Sequence, residues 1–575
     1  MSRGRSAPDP YRWRWRLVLA LLLALFALLL LRILSLQVLD HDRGRGFLQQ
    51  QGDLRTVRSS TLPAYRGVIS DRHGEPLAVS TPVLSLVADP QQLAGSPRVA
   101  DLAAALGLPA AELAARLERY GDKRFMYLQR RLPPAAARAV LERRFPGVRQ
   151  QREYQRYYPA GSVAAQLVGM TNVDGRGVAG VELAYDSWLR GRSGRKQYIK
   201  NRRGDAVRYI GEAQPAQPGK ALQLAIDLRL QTLQHRELER AVRRTGAAGG
   251  VVLTLDAHSG EILACASHPD FNPNNRSAVD MAATRSRAFT DVIEPGSTVK
   301  PLTLVAALES GRYRSDTLID TSPGRIRVGR KVLPDPRNYG EIDLRTVLAK
   351  SSQVGITKIA LDLGHQPIRG VFQRFGLGAP TATGFPGERS GTLPQRSRWS
   401  RIEEATLAFG YGLTVTPLQL ARAYAAIAAD GRLPEISLLR RQEPRPGRRV
   451  ISAAMARELR GILATVVSDE GTGSRARVPG YAVGGKTGTV HKVGSGGYEP
   501  DQYLALFAGI APIDAPRLVT VVVLDRPQGD DYGGGAAAAP LFARLAGESL
   551  RLLGVPPQLG TDPQQLALAA AGGAP

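Results

Sequence analysis

Fifteen consecutive apolar residues, Leu17 to Leu31, constrain this chain more than any other stretch. With one charge tolerated at Arg32, the apolar character continues through Ile33, Leu34, Leu36 and Val38 to Leu39. A bilayer core takes about 20 residues of helix, so residues 17–39 are expected to span one, with Arg32 reaching for the far interface. Arg3, Arg5, Arg12, Arg14 and Arg16 precede the run against a single acid, Asp9. Positive charge is retained on the cytoplasmic side. Residues 1–16 are therefore expected to form a cytoplasmic tail, and everything after about residue 40 to be exported. No small-x-small cleavage site follows at Ser35–Leu39, which argues for an uncleaved anchor over a signal peptide.

The exported part is long enough for several domains: 575 residues make three or four domain equivalents at about 150 residues each. Of the 77 basic residues 67 are Arg and only 10 are Lys, and the net charge is +26. There is no basic block and no aromatic-studded basic strand, so the charge reads as solvated surface and no nucleic-acid partner is expected. Cys265 is the single cysteine, which excludes an intramolecular disulfide, and its apolar neighbours place it in a strand as a core residue. The seven histidines include no HExxH pair, so neither a metal nor another cofactor is expected.

Residues 40–213 mix a strand-like run at Val83–Ala88 with helical runs near 99–119 and 133–144. Gln214-Pro-Ala-Gln-Pro-Gly219 breaks the pattern and reads as a linker over 214–220. A new domain opens at Ala221 and is expected to extend to 555. Its first helix starts at Asp227 and runs to Val242, and Val251–Asp256, a turn at His258-Ser-Gly260 and Glu261–Ser267 form a hairpin. Strands recur at Tyr503–Ile510 and Leu518–Leu524, followed by a helix near 538–553. The fold is thus expected to be mixed α+β, with an antiparallel sheet built from both ends of the domain and flanked by helices. The tail 556–575, rich in Ala, Gly, Gln and Pro, is expected to be disordered.

The chemistry starts at Glu294-Pro-Gly-Ser-Thr-Val-Lys300. A Pro-Gly turn before an apolar run puts Ser297 in a first helical turn and Lys300 three residues on, on the same face. A helix N-terminus stabilises developing negative charge, and a neighbouring amine can take the serine proton. Lysine can do so only if burial or a nearby cation lowers its pKa; arginine stays protonated. By itself SxxK also fits a capping serine.

Two further segments complete an ordered set: Lys350-Ser-Ser-Gln-Val-Gly355 and Gly484-Gly-Lys-Thr-Gly-Thr489. SxxK, then a Ser-x-Asn-like element, then Lys-Thr-Gly is the signature of penicillin-recognising serine acyltransferases. The chain resembles a class B penicillin-binding protein of the cell-division (FtsI) type. Arg66–Ala78, Arg156–Gly161, Gly177–Glu182, Pro269–Asn274 and Phe409–Tyr424 resemble other segments of that family. Within the last, Thr416, Pro417 and Gln419 form a capping box that opens a helix.

The resemblance implies a peptidoglycan D,D-transpeptidase with an N-terminal pedestal domain. Ser297 would be the nucleophile toward a D-alanyl-D-alanine stem peptide and Lys300 its base. Ser351 would pass a proton to or from the leaving amine. Lys486 and Thr487 would bind the terminal carboxylate, Gly488 would let substrate lie against the strand, and the backbone N–H groups of Ser297 and Thr489 would form the oxyanion hole. An amine from a neighbouring stem would then take the acyl group, making the septal cross-link. The implied partners are peptidoglycan stem peptides, β-lactams, a membrane-bound SEDS-type glycosyltransferase and other division proteins. The implied location is the inner membrane, with the catalytic domain periplasmic.

One departure stands out: the third position of the second motif is Gln353 where the family usually has Asn. Gln keeps the amide but moves it by about 1.5 Å. Two rival readings follow. Gly480-Tyr-Ala-Val-Gly-Gly-Lys486-Thr487 satisfies the phosphate-binding GxxxxGK[ST] pattern, but neither a buried strand before it nor a helix after it is expected. A transpeptidase fold kept as a catalytically weak or inactive scaffold, with Gln353 marking the loss, is the alternative from a different class.

Overall fold

The computed structural model describes residues 11–37, 57–200, 206–275, 277, 279–443, 445–494 and 497–558. Most of the C-terminal tail, from 559 on, lies outside them, as does the expected cytoplasmic tail before residue 11. The apolar N-terminal run is a single helix, Arg12–Gln37, about 39 Å long. It begins five residues before Leu17, because Arg12-Trp-Arg-Trp-Arg16 continues the helix past the apolar stretch. It is long and apolar enough to cross a membrane, and its residues 12–34 are exposed.

Two compact units divide the chain. The first comprises residues up to Ala64 together with Gly191–Pro218. Besides the helix it holds a three-stranded antiparallel sheet in the order Val57–Leu62, Gly194–Lys200, Ala206–Gln214. The stretch expected as a linker is ordered by backbone pairing in this unit, where Arg192 and Gln217 exchange two hydrogen bonds of 2.8 Å.

The second unit holds Tyr65–Arg190 and everything from Gly219 on. Its N-terminal part carries a small separate core. Leu86, Leu93, Leu102, Leu113, Leu117, Leu128 and Val140 are buried between the strand Pro76–Ala88, its neighbours Met126–Leu132 and Val148–Tyr157, and four helices. The helical run 99–119 is split into Val99–Leu106 and Ala110–Arg119, because Gly107 ends the first helix at φ +67° and Pro109 caps the second.

Beneath this head the first three pedestal motifs converge. Glu182 is fully buried and accepts from Arg66 Nε at 2.5 Å and Arg156 Nε at 2.6 Å, while Arg66 Nη1 donates to Asp186 at 2.6 Å. The same segments bind the catalytic domain. Asn274 brackets Tyr158, accepting from its N–H at 3.0 Å and donating to its carbonyl at 2.9 Å. Gln166 donates to the carbonyl of Pro269 at 2.7 Å. The resemblance segments Arg66–Ala78, Arg156–Gly161, Gly177–Glu182 and Pro269–Asn274 thus have a physical reason: they meet at the seam between pedestal and catalytic parts.

The five-stranded sheet has the order Ile262–His268, Gly249–Asp256, Leu518–Asp525, Gly497–Ala511, Gly484–Gly494, antiparallel throughout. Both ends of the domain build it, as expected. Gly249–Asp256 and Leu518–Asp525 are buried at every position, so successive side chains serve two cores. Val252, Ala264, Phe507, Val522 and Leu524 pack on the helices Leu228–Thr245 and Ala539–Leu552. Val251, Leu253, Cys265, Leu506, Val519 and Val521 face the helices Arg287–Thr290 and Pro417–Ala428. Asp227 caps the first of these helices through the N–H of Arg229, as its position in the sequence implied.

Removing Glu182 leaves two buried guanidinium groups without their carboxylate. Glu182→Ala is expected to lower stability by about 3–5 kcal/mol, read by chemical denaturation of the full-length protein in detergent. An unchanged unfolding midpoint would show that the cluster contributes nothing.

Candidate active site

Ser297 lies in a tight 3₁₀ turn, Gly296–Val299, that runs straight into the α-helix Lys300–Glu309. Pro301 suits that start, since a first-turn proline sacrifices no helical N–H bond. The turn is held from several sides. Gly296 N–H donates to Gly410 O at 3.2 Å and Thr298 Oγ1 donates to Pro295 O at 2.6 Å. Tyr424 Oη donates to Thr298 O at 2.7 Å, and Thr303 Oγ1 to Ala408 O at 2.7 Å. Tyr424 is carried by the helix Pro417–Ala428, whose capping box of Thr416 and Gln419 is present. Gly410 has φ +88°, and a Cβ there would collide with the backbone of Gly296.

Lys300 is wholly buried. Its Nζ donates to Ser351 O at 2.6 Å, to Ser351 Oγ at 3.1 Å and to Ser352 O at 3.4 Å. Burial pushes its ammonium down to about 7, against a smaller opposing pull from the Asp335 carboxylate. This is the lowered basicity that the SxxK reading required. Among the described residues the Ser297 hydroxyl makes no hydrogen bond to Lys300; the amine points instead to the second motif. Ser351 has φ +55°, a left-handed conformation that costs a non-glycine residue about 1–3 kcal/mol.

Lys486, Thr487, Gly488 and Thr489 lie on the edge strand Gly484–Gly494. That segment is a strand and opens no helix, which removes the phosphate-loop reading. Lys486 is fully buried and donates to Thr487 O and Oγ1, both at 3.2 Å. Burial first, and the charge of Lys300 second, hold its pKa well below the usual lysine range. Thr487 Oγ1 donates to Thr472 Oγ1 at 3.0 Å, while Thr489 Oγ1 accepts from Gly534 N–H at 2.9 Å. A Cβ on Gly488 would meet Thr298 Cγ2 at 3.0 Å and Pro295 O at 3.3 Å, so the strand lies directly against the serine turn.

Sequence reasoning missed three residues here. Asp335 is buried, accepts from Ser352 Oγ at 2.5 Å and takes the N–H groups of Gln353 at 2.5 Å and Val354 at 3.2 Å. Its signal, Pro334-Asp-Pro336, is too weak to point 17 residues ahead. Glu294 accepts from Gly412 N–H at 2.8 Å and from Tyr498 Oη at 3.0 Å. Burial raises the pKa of its carboxyl group despite those two donors. Tyr498 stands edge-on to Tyr411, ring centroids 5.8 Å apart. Gln353 is the first residue of the helix Gln353–Leu363, and among the described residues its side-chain amide makes no hydrogen bond.

The site therefore holds a serine in a clamped turn, a buried low-pKa lysine and a second lysine on a facing strand. Comparison with known proteins shows the family. Residues 250–547 match the penicillin-binding protein transpeptidase domain, and residues 61–224 match the penicillin-binding protein dimerisation domain. The chain belongs to the class B penicillin-binding proteins of the cell-division type. It is 42% identical to the peptidoglycan D,D-transpeptidase FtsI of Escherichia coli, over 92% of this chain and 89% of that one. It is equally 42% identical to the probable peptidoglycan D,D-transpeptidase PbpC of Pseudomonas aeruginosa, over 92% and 93%. Penicillin-binding protein 3 of Mycobacterium tuberculosis, solved with aztreonam, is 30% identical with a TM-score of 0.68, covering 87% of this chain and 98% of that one. This penicillin-binding protein is accordingly a serine-type D,D-transpeptidase with a pedestal domain and an antiparallel sheet flanked by helices.

Gly410→Ala is expected to displace the serine turn. A misplacement of about 1 Å costs on the order of 100-fold in rate, so acylation by a chromogenic β-lactam should slow by tenfold or more. A rate equal to that of the unsubstituted enzyme would show that the Gly296–Gly410 contact is dispensable.

Proposed function

We propose that this enzyme makes septal peptidoglycan cross-links through an acyl-enzyme at Ser297. The observation that carries the proposal is Lys300: an amine buried beside the serine turn and depressed to about 7 is neutral often enough to accept a proton. Ser297 Oγ attacks the carbonyl between the two terminal D-alanines of a stem peptide, and its proton passes to Lys300. Ser351, whose hydroxyl accepts from Lys300 Nζ at 3.1 Å, hands a proton to the departing D-alanine amine and takes one in turn from Lys300. Lys486 and Thr487 receive the terminal carboxylate, whose negative charge restores the ammonium form of Lys486 that burial disfavours. Backbone N–H groups of Ser297 and Thr489 stabilise the oxyanion, each such donor being worth about 3–4 kcal/mol. The amine of a neighbouring stem then attacks the ester and gives up a proton through Ser351 to Lys300, the cross-link forms, and Ser297 regains its proton from Lys300.

The remaining assignments rest on the same reading. Residues 40–213 form the pedestal, 214–220 the connection and 221–555 the transpeptidase domain. The N-terminal helix anchors the enzyme in the inner membrane, tail inside and catalytic domain in the periplasm. A SEDS-type glycosyltransferase and other division proteins supply and place the glycan strands. Against the inactive-scaffold alternative stand the retained Ser297, Lys300, Ser351 and Lys486 and the burial of Lys300.

Labelled penicillin is expected to acylate the protein once, and Ser297→Ala to abolish labelling. Label found by mass spectrometry on another serine of that variant would overturn the assignment. Acylation should rise with pH through about 7, because lysine acts only in its neutral form, which dominates above that value. Lys300→Arg should cost about 10²- to 10⁴-fold at every pH, since a guanidinium takes no proton. A flat pH profile, or an arginine variant of normal rate, would show that Lys300 only pairs charge.

A further inference from the structure

We infer that Asp335 is a positioning residue of the acylation step: through one peptide group it fixes Lys300, in place of the side-chain amide at position 353. The inference rests on the reading that Lys300 serves Ser297.

Lys300 Nζ donates to two backbone carbonyls, Ser351 O and Ser352 O. The Ser352 carbonyl and the Gln353 N–H belong to one planar peptide group and point in opposite directions. The carbonyl end faces the amine at 3.4 Å and the N–H end meets Asp335 Oδ1 at 2.5 Å. Asp335 thus holds the plane from behind, and the plane holds Lys300. Oδ1 also takes the N–H of Val354, while Oδ2 accepts the Ser352 hydroxyl at 2.5 Å. Ser352 is the N-cap of the helix Gln353–Leu363, and its Oγ accepts from Gly355 N–H. One carboxylate therefore locks three consecutive residues, immediately after the left-handed Ser351.

The chain-specific part concerns Gln353. Its side-chain amide is without a hydrogen bond among the described residues, whereas its backbone N–H makes the short bond to Asp335. The task that a side-chain amide would perform at this position is done here by backbone. Asp335 also supplies the negative charge that opposes the depression of the Lys300 pKa. Its removal should act on two observables at once, the rate and the pH at which acylation switches on.

The test is stopped-flow acylation of the full-length enzyme in detergent by a chromogenic β-lactam, from pH 5.5 to 9. A hydrogen bond to a charged group is worth about a tenfold to hundredfold change in rate, so Asp335→Asn should slow acylation by that factor. Its acid limb should move to lower pH, because loss of the carboxylate lets Lys300 deprotonate more readily. Gln353→Ala should slow acylation less than Asp335→Asn does, with its acid limb unmoved. If Asp335→Asn does not fold, Asp335→Glu replaces it, keeping the charge but displacing it by one methylene; slower acylation with an unmoved acid limb is then expected. The inference fails if the aspartate variant acylates at the normal rate with the normal acid limb, or if Gln353→Ala is the more damaging change. Absence of labelling at Ser297 in the unsubstituted enzyme would overturn the acyl-enzyme reading and this inference together, whereas a normal unsubstituted enzyme with an indifferent Asp335 overturns only the latter.

Discussion

Burial of the Lys300 amine is the constraint on which the rest of this enzyme depends. An ammonium taken out of water without a carboxylate in contact is strongly disfavoured, and here the cost appears as a base near neutrality. The amine stays soluble in the protein only because three oxygens of Ser351 and Ser352 accept from it. The nearest carboxylate, Asp335, is held one peptide group away. Direct contact would restore the full basicity of lysine; complete absence would leave the Ser351–Ser352 turn unsupported.

That arrangement needs rigid, dry surroundings, and the architecture supplies them. The helix carrying Lys300 is buried at nearly every position and packs among other helices, Gln353–Leu363 and His365–Arg374 among them, while the serine turn before it lies against the strand Gly484–Gly494. The serine turn is clamped between Gly410 on one side and Tyr424 on another. Gly488 and Gly534 let backbones approach where any side chain would intrude: a Cβ at Gly534 would collide with the carbonyls of Gly488 and Leu506. The Lys486 strand can therefore be an edge strand, backed by glycine on one side and open toward the serine on the other. Residues 65–190 are bound to the catalytic domain through the Asn274–Tyr158 and Gln166–Pro269 hydrogen bonds, next to the buried Arg66–Glu182–Arg156 cluster.

Much of this was legible in order along the chain, and the reason is local. The capping box at Thr416, the N-cap at Asp227, the hairpin around Gly260 and the turn before Ser297 are all set by residues within a few positions of one another. The three motifs could be read because their chemistry requires fixed residue types at fixed short spacings. Asp335, Glu294 and the conformation of Ser351 could not. Asp335 meets its partners 17 to 19 residues on, after a short strand and a helix have folded the chain back. Glu294 meets Tyr498 across 204 positions. The boundary near 214–220 was readable as a break in composition but not as pairing, because the partner of Gln217 is Arg192.

The sequence by itself determined the membrane-length helix, the apolar runs that build the sheet, and which serine and lysines could do chemistry, since each follows from local composition or from the pKa range of a residue type. Tertiary structure alone decided what those groups experience. The lowered pKa of Lys300 arises from burial, Ser351 is left-handed in the turn between the helices Leu344–Ala349 and Gln353–Leu363, and the Gln353 amide is without a hydrogen bond among the described residues. Electrostatics and strain depend on distances in space, and those exist only once the chain has closed on itself.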